Sequence, residues 1–157
     1  MYCHFVQDMI FDEYSYLSPG DSFPGVEIEP VESDEIITWG SDRIILLNFF
    51  IVPCKHCKKM LEYIQEHIWP DFQESDGYFV SIGREHSKEE VKEFRDQGNY
   101  LLPFAADPDR SIYSQFAQKK VPRNYLFDKE GLLVYQTRGF DLDQLSTLGK
   151  ILKDLST

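Results

Sequence analysis

The run RIILLNFFIV, residues 43–52, restricts more than any other stretch what this chain can become. It is too short to cross a bilayer, and it is rich in β-branched and aromatic side chains with hardly a polar interruption. Such a run suits a strand buried in a sheet that carries helices on both faces. Directly after it the period changes. In PCKHCKKMLEYIQEHIWP the apolar Met60, Leu61, Ile64 and Ile68 recur at helical spacing, with Lys58, Lys59, Glu62 and Glu66 on the other side. A buried strand therefore feeds a helix, expected to end at Pro70, and Cys54 and Cys57 stand at the junction.

The remainder repeats that alternation and then departs from it. GYFVSIG (77–83) reads as a strand, SKEEVKEFRDQGN as a helix capped by Ser87 and ending near Gly98, and LPFAAD (102–107) as a short strand. DPDRSIYSQFA reads as a turn and a short helix. NYLFD and LLVYQTR flank KEG, a hairpin signal with Gly131 in its turn. In DLDQLSTLGKILKDL the residues Leu142, Leu145, Leu148 and Leu152 share one side of a closing helix. Upstream, SPGDSFPG holds turn residues, and VEIEPVESDEIITW reads as two short strands in a hairpin at a sheet edge. We divide the chain into an extension, 1–20, and one α/β domain, 21–157, with a central mixed sheet flanked by helices.

Composition narrows the function. At 157 residues, 42% hydrophobic and 15% aromatic, the chain can bury about two-thirds of its unfolded surface, which excludes a disordered protein. A net charge of −11 repels phosphate backbones and anionic lipid, so neither nucleic acid nor a membrane surface is an expected partner, and no run spans a membrane. Three cysteines are too few for a disulfide scaffold, and Cys3 lies far from the other two. MYCHFVQDMIF lacks a basic start followed by an unbroken apolar core, so no secretion signal is visible. Two expectations stay open: a cytoplasmic protein, or one that begins after a removed leader.

The cysteine pair carries the chemistry. A cysteine attacks as thiolate, and a free thiol near pKa 8.5 is mostly protonated at neutral pH. At a helix N-terminus, Cys54 would face unpaired N–H groups and the positive end of the helix dipole, both favouring the anion. Cys57, one turn further in, is then close enough to resolve a mixed disulfide but more shielded. Cys54 is therefore expected to be the nucleophile and Cys57 the resolving thiol. Lys55 and His56 can add positive charge beside the thiolate, which stabilises the reduced form and makes the disulfide a stronger oxidant. Electrons reside on the cysteines themselves, so no bound cofactor is expected.

About sixty-five residues after Cys57 comes KKVPRNYLFDKEGLLVYQTRGF. With LLNFF before the motif, CKHCKKM itself, VP before NYLFD, and DKEG and RGF beyond, the chain resembles the thioredoxin superfamily, most closely its TlpA-like branch with the ResA-type proteins. PGDSFPGVEI is similar to that family's entry segment, so the likeness runs over roughly 20–155. It implies a thioredoxin-like fold, a cis Pro122 facing the cysteines, and a Val121 backbone that pairs with a substrate strand. It also implies protein thiols or disulfides as substrates, a redox partner protein, and the bacterial cell envelope or periplasm. Pro53 replaces the aromatic that usually precedes the nucleophile, and joins Lys55 and His56 as a residue expected to tune the couple. Asn48 stands where many thioredoxins have a buried acid. The acid that ResA-type members carry after the motif falls on Met60, so the proton acceptor for Cys57 stays open, as does the choice between oxidant, isomerase and reductant.

Three rival readings meet obstacles in the residues themselves. Cys54, His56 and Cys57, with Cys3 and His4, are metal-ligand types, but positions 56 and 57 cannot easily serve one ion from a helix start, so no metal is expected. Peroxiredoxin-type enzymes share the general fold and carry Thr three residues before the peroxidatic cysteine, where Ile51 stands here. A non-catalytic binding module would have no need of the intact pair or the Val-Pro loop. His67 and His86 read as ordinary surface or boundary residues.

Overall fold

The computed structural model describes residues 12–32, 37–39 (as backbone) and 42–156. Cys3 and His4 lie outside the described residues, and with them any role for Cys3 as a fourth ligand. Strand β3 (Ile45–Phe50) is buried along its whole length and occupies the centre of a five-stranded sheet. It pairs in parallel with β4 (Tyr78–Arg84), which pairs in parallel with β5 (Phe104–Asp107). On its other side it pairs antiparallel with β6 (Arg123–Phe127), which forms a hairpin with β7 (Leu133–Arg138). Gly131 closes that hairpin at φ 79°, a backbone that L side chains rarely adopt. A separate antiparallel pair, β1 (Val26–Ile28) and β2 (Ile37–Trp39), is the N-terminal hairpin. Just beyond β1, Pro30 bridges Ala105, and Val31 N–H donates to the Phe104 carbonyl, which covers the outer edge of β5.

Helices account for four further elements: α1 (Lys55–His67), α2 (Trp69–Gln73), α3 (Lys88–Gly98) and α4 (Leu142–Ser156). Met60, Leu61 and Ile64 of α1 are buried as their spacing predicts, and Ile68 with them. Pro70 does not end α1. The helix stops at His67, and Pro70 sits in the first turn of α2, where its missing N–H costs nothing. Ser87 caps α3 in a capping box with Glu90, and Asn99 ends it in the left-handed conformation. In α4 the residues Leu145, Leu148, Ile151 and Leu152 are buried, whereas Leu142, expected on that stripe, faces solvent in the first turn. The short helix read into DPDRSIYSQFA is a single 3-10 turn, Tyr113–Gln115.

The pleat sorts the core into two halves. Leu46 and Phe50 of β3 face side chains from all four helices, Cys57, Met60, Phe72, Phe94 and Leu148 among them. Ile45, Leu47 and Phe49 face the opposite way, onto Val26, Ile28, Ile112, Tyr113 and Phe116. Helices on both faces were the expectation for so apolar a strand. The second face is instead dried by the β1 segment and the aromatic turn at 112–117, which bury β3 as completely as helices would. Close packing fixes α3 against β4: a Cβ at Gly83 would lie 2.7 Å from Val91 Cγ2.

Candidate functional site

The junction after β3 has the geometry its sequence calls for. Cys54 is the N-cap of α1, in extended backbone, and its sulfur accepts the Cys57 N–H at 3.1 Å. The two cysteines are joined as a disulfide, with Cα atoms 5.2 Å apart. No acidic residue stands in the first turn of α1 to oppose charge on sulfur. Accessibility separates the two: Cys54 is partly exposed, Cys57 fully buried against the helix-side core. An incoming thiolate can reach only the first. When the bond opens, the N–H that now meets Cys54 Sγ remains aimed at the same atom, where a thiolate would accept it more strongly. Pro53, Lys55 and His56 are all exposed around it, and the Val52–Pro53 bond is cis.

Sheet register brings the second motif to the same end. Phe49 pairs with Arg123, so Val121 and Pro122, just before β6, lie beside the segment that leads from β3 to Cys54. The Val121–Pro122 bond is cis. Pro122 is buried and its carbonyl accepts the Gly139 N–H at 2.8 Å. Val121 is half-buried and packs against both halves of the core, in one of which Cys54 is a neighbour.

Under α1 lies a buried polar cluster without a charge. Asn48 Nδ2 donates to Asn124 Oδ1 at 3.1 Å, and Ser81 Oγ donates to Asn48 Oδ1 at 2.6 Å. Asn124 Nδ2 in turn donates to Thr137 Oγ1 at 3.0 Å and meets Met60 Sδ at 3.2 Å. Every member is satisfied by a neutral partner, so the cluster holds β3, β4, β6 and β7 in register at little desolvation cost. The buried carboxylates are engaged elsewhere: Asp12 with Arg123 and Arg138, Asp107 with the Ile112 and Tyr113 amides, Asp128 with the Glu130 and Leu132 amides. None of these three is available to take a proton from Cys57. Glu62 and Glu66 are on the exposed side of α1, as their spacing predicts.

Two features escape a reading of the sequence. His86 is not a bystander: its Nε2 accepts the Val52 N–H at 2.8 Å, two residues before Cys54, and its Nδ1 faces Glu90 at 3.6 Å. Arg123, directly after Pro122, is fully buried and ion-paired to Asp12. No periodicity announces either partnership, because 34 and 111 residues separate the partners. Among the described residues no group of three or more His, Cys, Asp or Glu could hold a metal ion, and no helix is long and apolar enough to cross a membrane.

Comparison with known proteins agrees with this geometry. The chain is 28% identical over 95 residues to the thiol-disulfide oxidoreductase ResA of Bacillus thuringiensis (strain Al Hakam), an alignment covering 60% of this chain and 54% of the relative. It thus spans about half the length of the curated relatives it matches. Among solved structures, a Bacteroides thetaiotaomicron protein described as a disulfide isomerase superposes with a TM-score of 0.86 at 22% identity, over 93% of this chain and 94% of that one. StoA from Bacillus subtilis superposes with a TM-score of 0.65 at 18% identity, over 82% and 96%. At those identities the structures establish a shared thioredoxin-like fold. A sequence profile of the AhpC/TSA family matches residues 19–136, strand β3, both cysteines and the Val-Pro loop included, and the chain belongs to that family.

Proposed function

We propose that this protein exchanges disulfides with protein substrates through Cys54 and Cys57. The observation that carries this reading is the paired cysteines at the start of α1, one sulfur reachable and hydrogen-bonded to an amide, the other buried. In the oxidising direction a substrate thiolate attacks Cys54 Sγ, the Cys54–Cys57 bond breaks, and the electron pair leaves on Cys57. A second substrate thiolate then attacks the substrate sulfur of the mixed disulfide and releases Cys54 as thiolate. The substrate has lost two electrons and two protons, which the cysteine pair has gained; a redox partner protein reverses the change. Val121 and Pro122 shape the groove where the substrate lies. Lys55 and His56, with Pro53, tune the couple toward a potential less negative than thioredoxin's, about −270 mV. The ResA name of the curated relatives supports this activity. The sequence likeness to the TlpA-like branch adds the bacterial cell envelope to the proposal.

The test is a trap. With Cys57→Ser, a mixed disulfide to a substrate protein should accumulate at Cys54, and with Cys54→Ser it should not. No adduct with either variant would overturn the reading, and rapid consumption of peroxide by the wild-type protein would replace it with peroxidase chemistry. Equilibration with glutathione fixes the direction of exchange.

A further inference from the structure

We propose that Arg123 and Tyr113, braced by Asp12, are positioning residues that set the shape of the substrate-docking loop Lys119–Val121. The inference rests on the exchange reading above, and concerns how that site selects extended protein substrates over small disulfides.

Arg123 is buried on the sheet face opposite α1, and its guanidinium is directed at the loop that precedes it. Nε donates to the Lys119 carbonyl at 3.1 Å and the Lys120 carbonyl at 3.0 Å, and Nη2 donates to the Lys119 carbonyl at 2.7 Å. Tyr113 Oη donates to the Lys120 carbonyl at 2.5 Å and accepts from Arg123 Nε at 3.2 Å. The opposite edge of the guanidinium meets the Asp12 carboxylate, which Arg138 also approaches at 3.3 Å. Burial alone would push the Asp12 carboxyl up, but the Arg123 bond and charge, the Tyr14 N–H and Arg138 hold it below the ordinary carboxylate range. The pair is therefore an ion pair at neutral pH.

A buried cation is costly unless its donors are all used, so bulk alone does not call for an arginine here. What these donors do is orient peptide planes. In a trans peptide the carbonyl and the following N–H point in opposite directions. Drawing the Lys120 carbonyl inward to Tyr113 and Arg123 turns the Val121 N–H away from them, the orientation a substrate strand needs for pairing. The hold is firm enough to keep Lys120, a non-glycine residue, at φ 85°. Residues forced into that region persist only where surrounding contacts over-determine them, and they cluster at binding sites.

Tyr113→Phe removes the hydroxyl while keeping the ring that packs edge-on against Phe49. Its kinetics, and those of Asp12→Asn, are compared with wild type on two oxidants: a disulfide-bonded peptide of about ten residues and 2-hydroxyethyl disulfide. Each variant should raise KM for the peptide about three- to tenfold, the loss expected for one hydrogen bond, with kcat and the small-disulfide rate unchanged. Equal losses on both oxidants would make the contacts merely structural, and no change on either would make them irrelevant; both overturn the inference. A wild-type protein inert toward both oxidants would overturn the exchange reading and this inference with it. Retained small-disulfide turnover with no peptide-specific loss in the variants leaves exchange standing and sinks only the positioning role.

Discussion

Tyr125 shows how far a single buried side chain can couple stability to pH. It lies on the same face as Arg123, its hydroxyl donating to the Phe116 carbonyl at 3.1 Å and lying 2.9 Å from Ser15 Oγ. Burial, the largest cause, pushes its phenol from the ordinary 10 up to about 12. Folding thus prefers the neutral phenol, so its contribution is complete below pH 10 and is lost as pH rises from 10 to 12. Two pH units of difference correspond to about 3 kcal/mol. Denaturant unfolding of the wild-type protein should lose about that much stability over this interval, beyond any loss in Tyr125→Phe. Parallel curves for the two proteins would show that Tyr125 is not the coupled group. Ser15 belongs to the same account, since its hydroxyl also donates to Gln136 Oε1 at 2.7 Å and so ties the first described residues to β6 and β7.

At the level of elements, the start of α1 is fixed from two directions. Cys54 caps the helix from within, and His86, between β4 and α3, holds the preceding loop through Val52. An imidazole nitrogen that accepts a hydrogen bond carries no proton, so the bond specifies the tautomer with hydrogen on Nδ1, facing Glu90. Replacing His86 with Phe should speed amide exchange at Val52 about tenfold and cost about 1 kcal/mol of stability, whereas His86→Gln, which keeps an acceptor, should recover part of both. NMR-detected hydrogen exchange checks this, and unchanged protection at Val52 in His86→Phe would refute the tether. Much of the element level was legible beforehand. Ser87 with Glu90 announced the start of α3, and KEG announced the β6–β7 turn, because caps and turns are satisfied by residues within a few positions. Pro70 misled because proline ends a helix and begins one by the same property, and only the packing of Trp69 and Phe72 onto Phe79 of β4 shows that a second helix follows.

Charge is distributed unevenly over the whole molecule. Lys55, Lys58, Lys59, Lys119 and Lys120 are exposed on the α1 and Val-Pro segments, and removing these five from a chain of net charge −11 leaves −16 on the rest. Glu85 and Glu90 are exposed on the α3 side of the junction and Glu62 and Glu66 further along α1, so the cations gather at the first turn of α1 and in the loop before Pro122. A substrate with acidic residues beside its disulfide should be steered there. Its kcat/KM should fall about three- to tenfold between 20 and 500 mM salt, roughly the span over which the screening length becomes shorter than the patch, while a neutral peptide should show little change. Equal salt dependence for acidic and neutral peptides would remove the steering.

Sequence alone determined the strand that feeds a helix, the cysteine pair at their junction, the α3 cap and the β6–β7 hairpin, all of which rest on periodicity and contacts a few residues apart. It also located Val121 and Pro122, through a likeness rather than through local physics. Only the tertiary structure decided that the helices share one face, that Asn48 meets Asn124, that His86 holds Val52 and that Asp12 meets Arg123. Those partners are 34 to 111 residues apart, and which of them meet depends on strand order and on the face each strand presents. Neither is written in any local pattern, because each is settled by how the whole chain returns to β3.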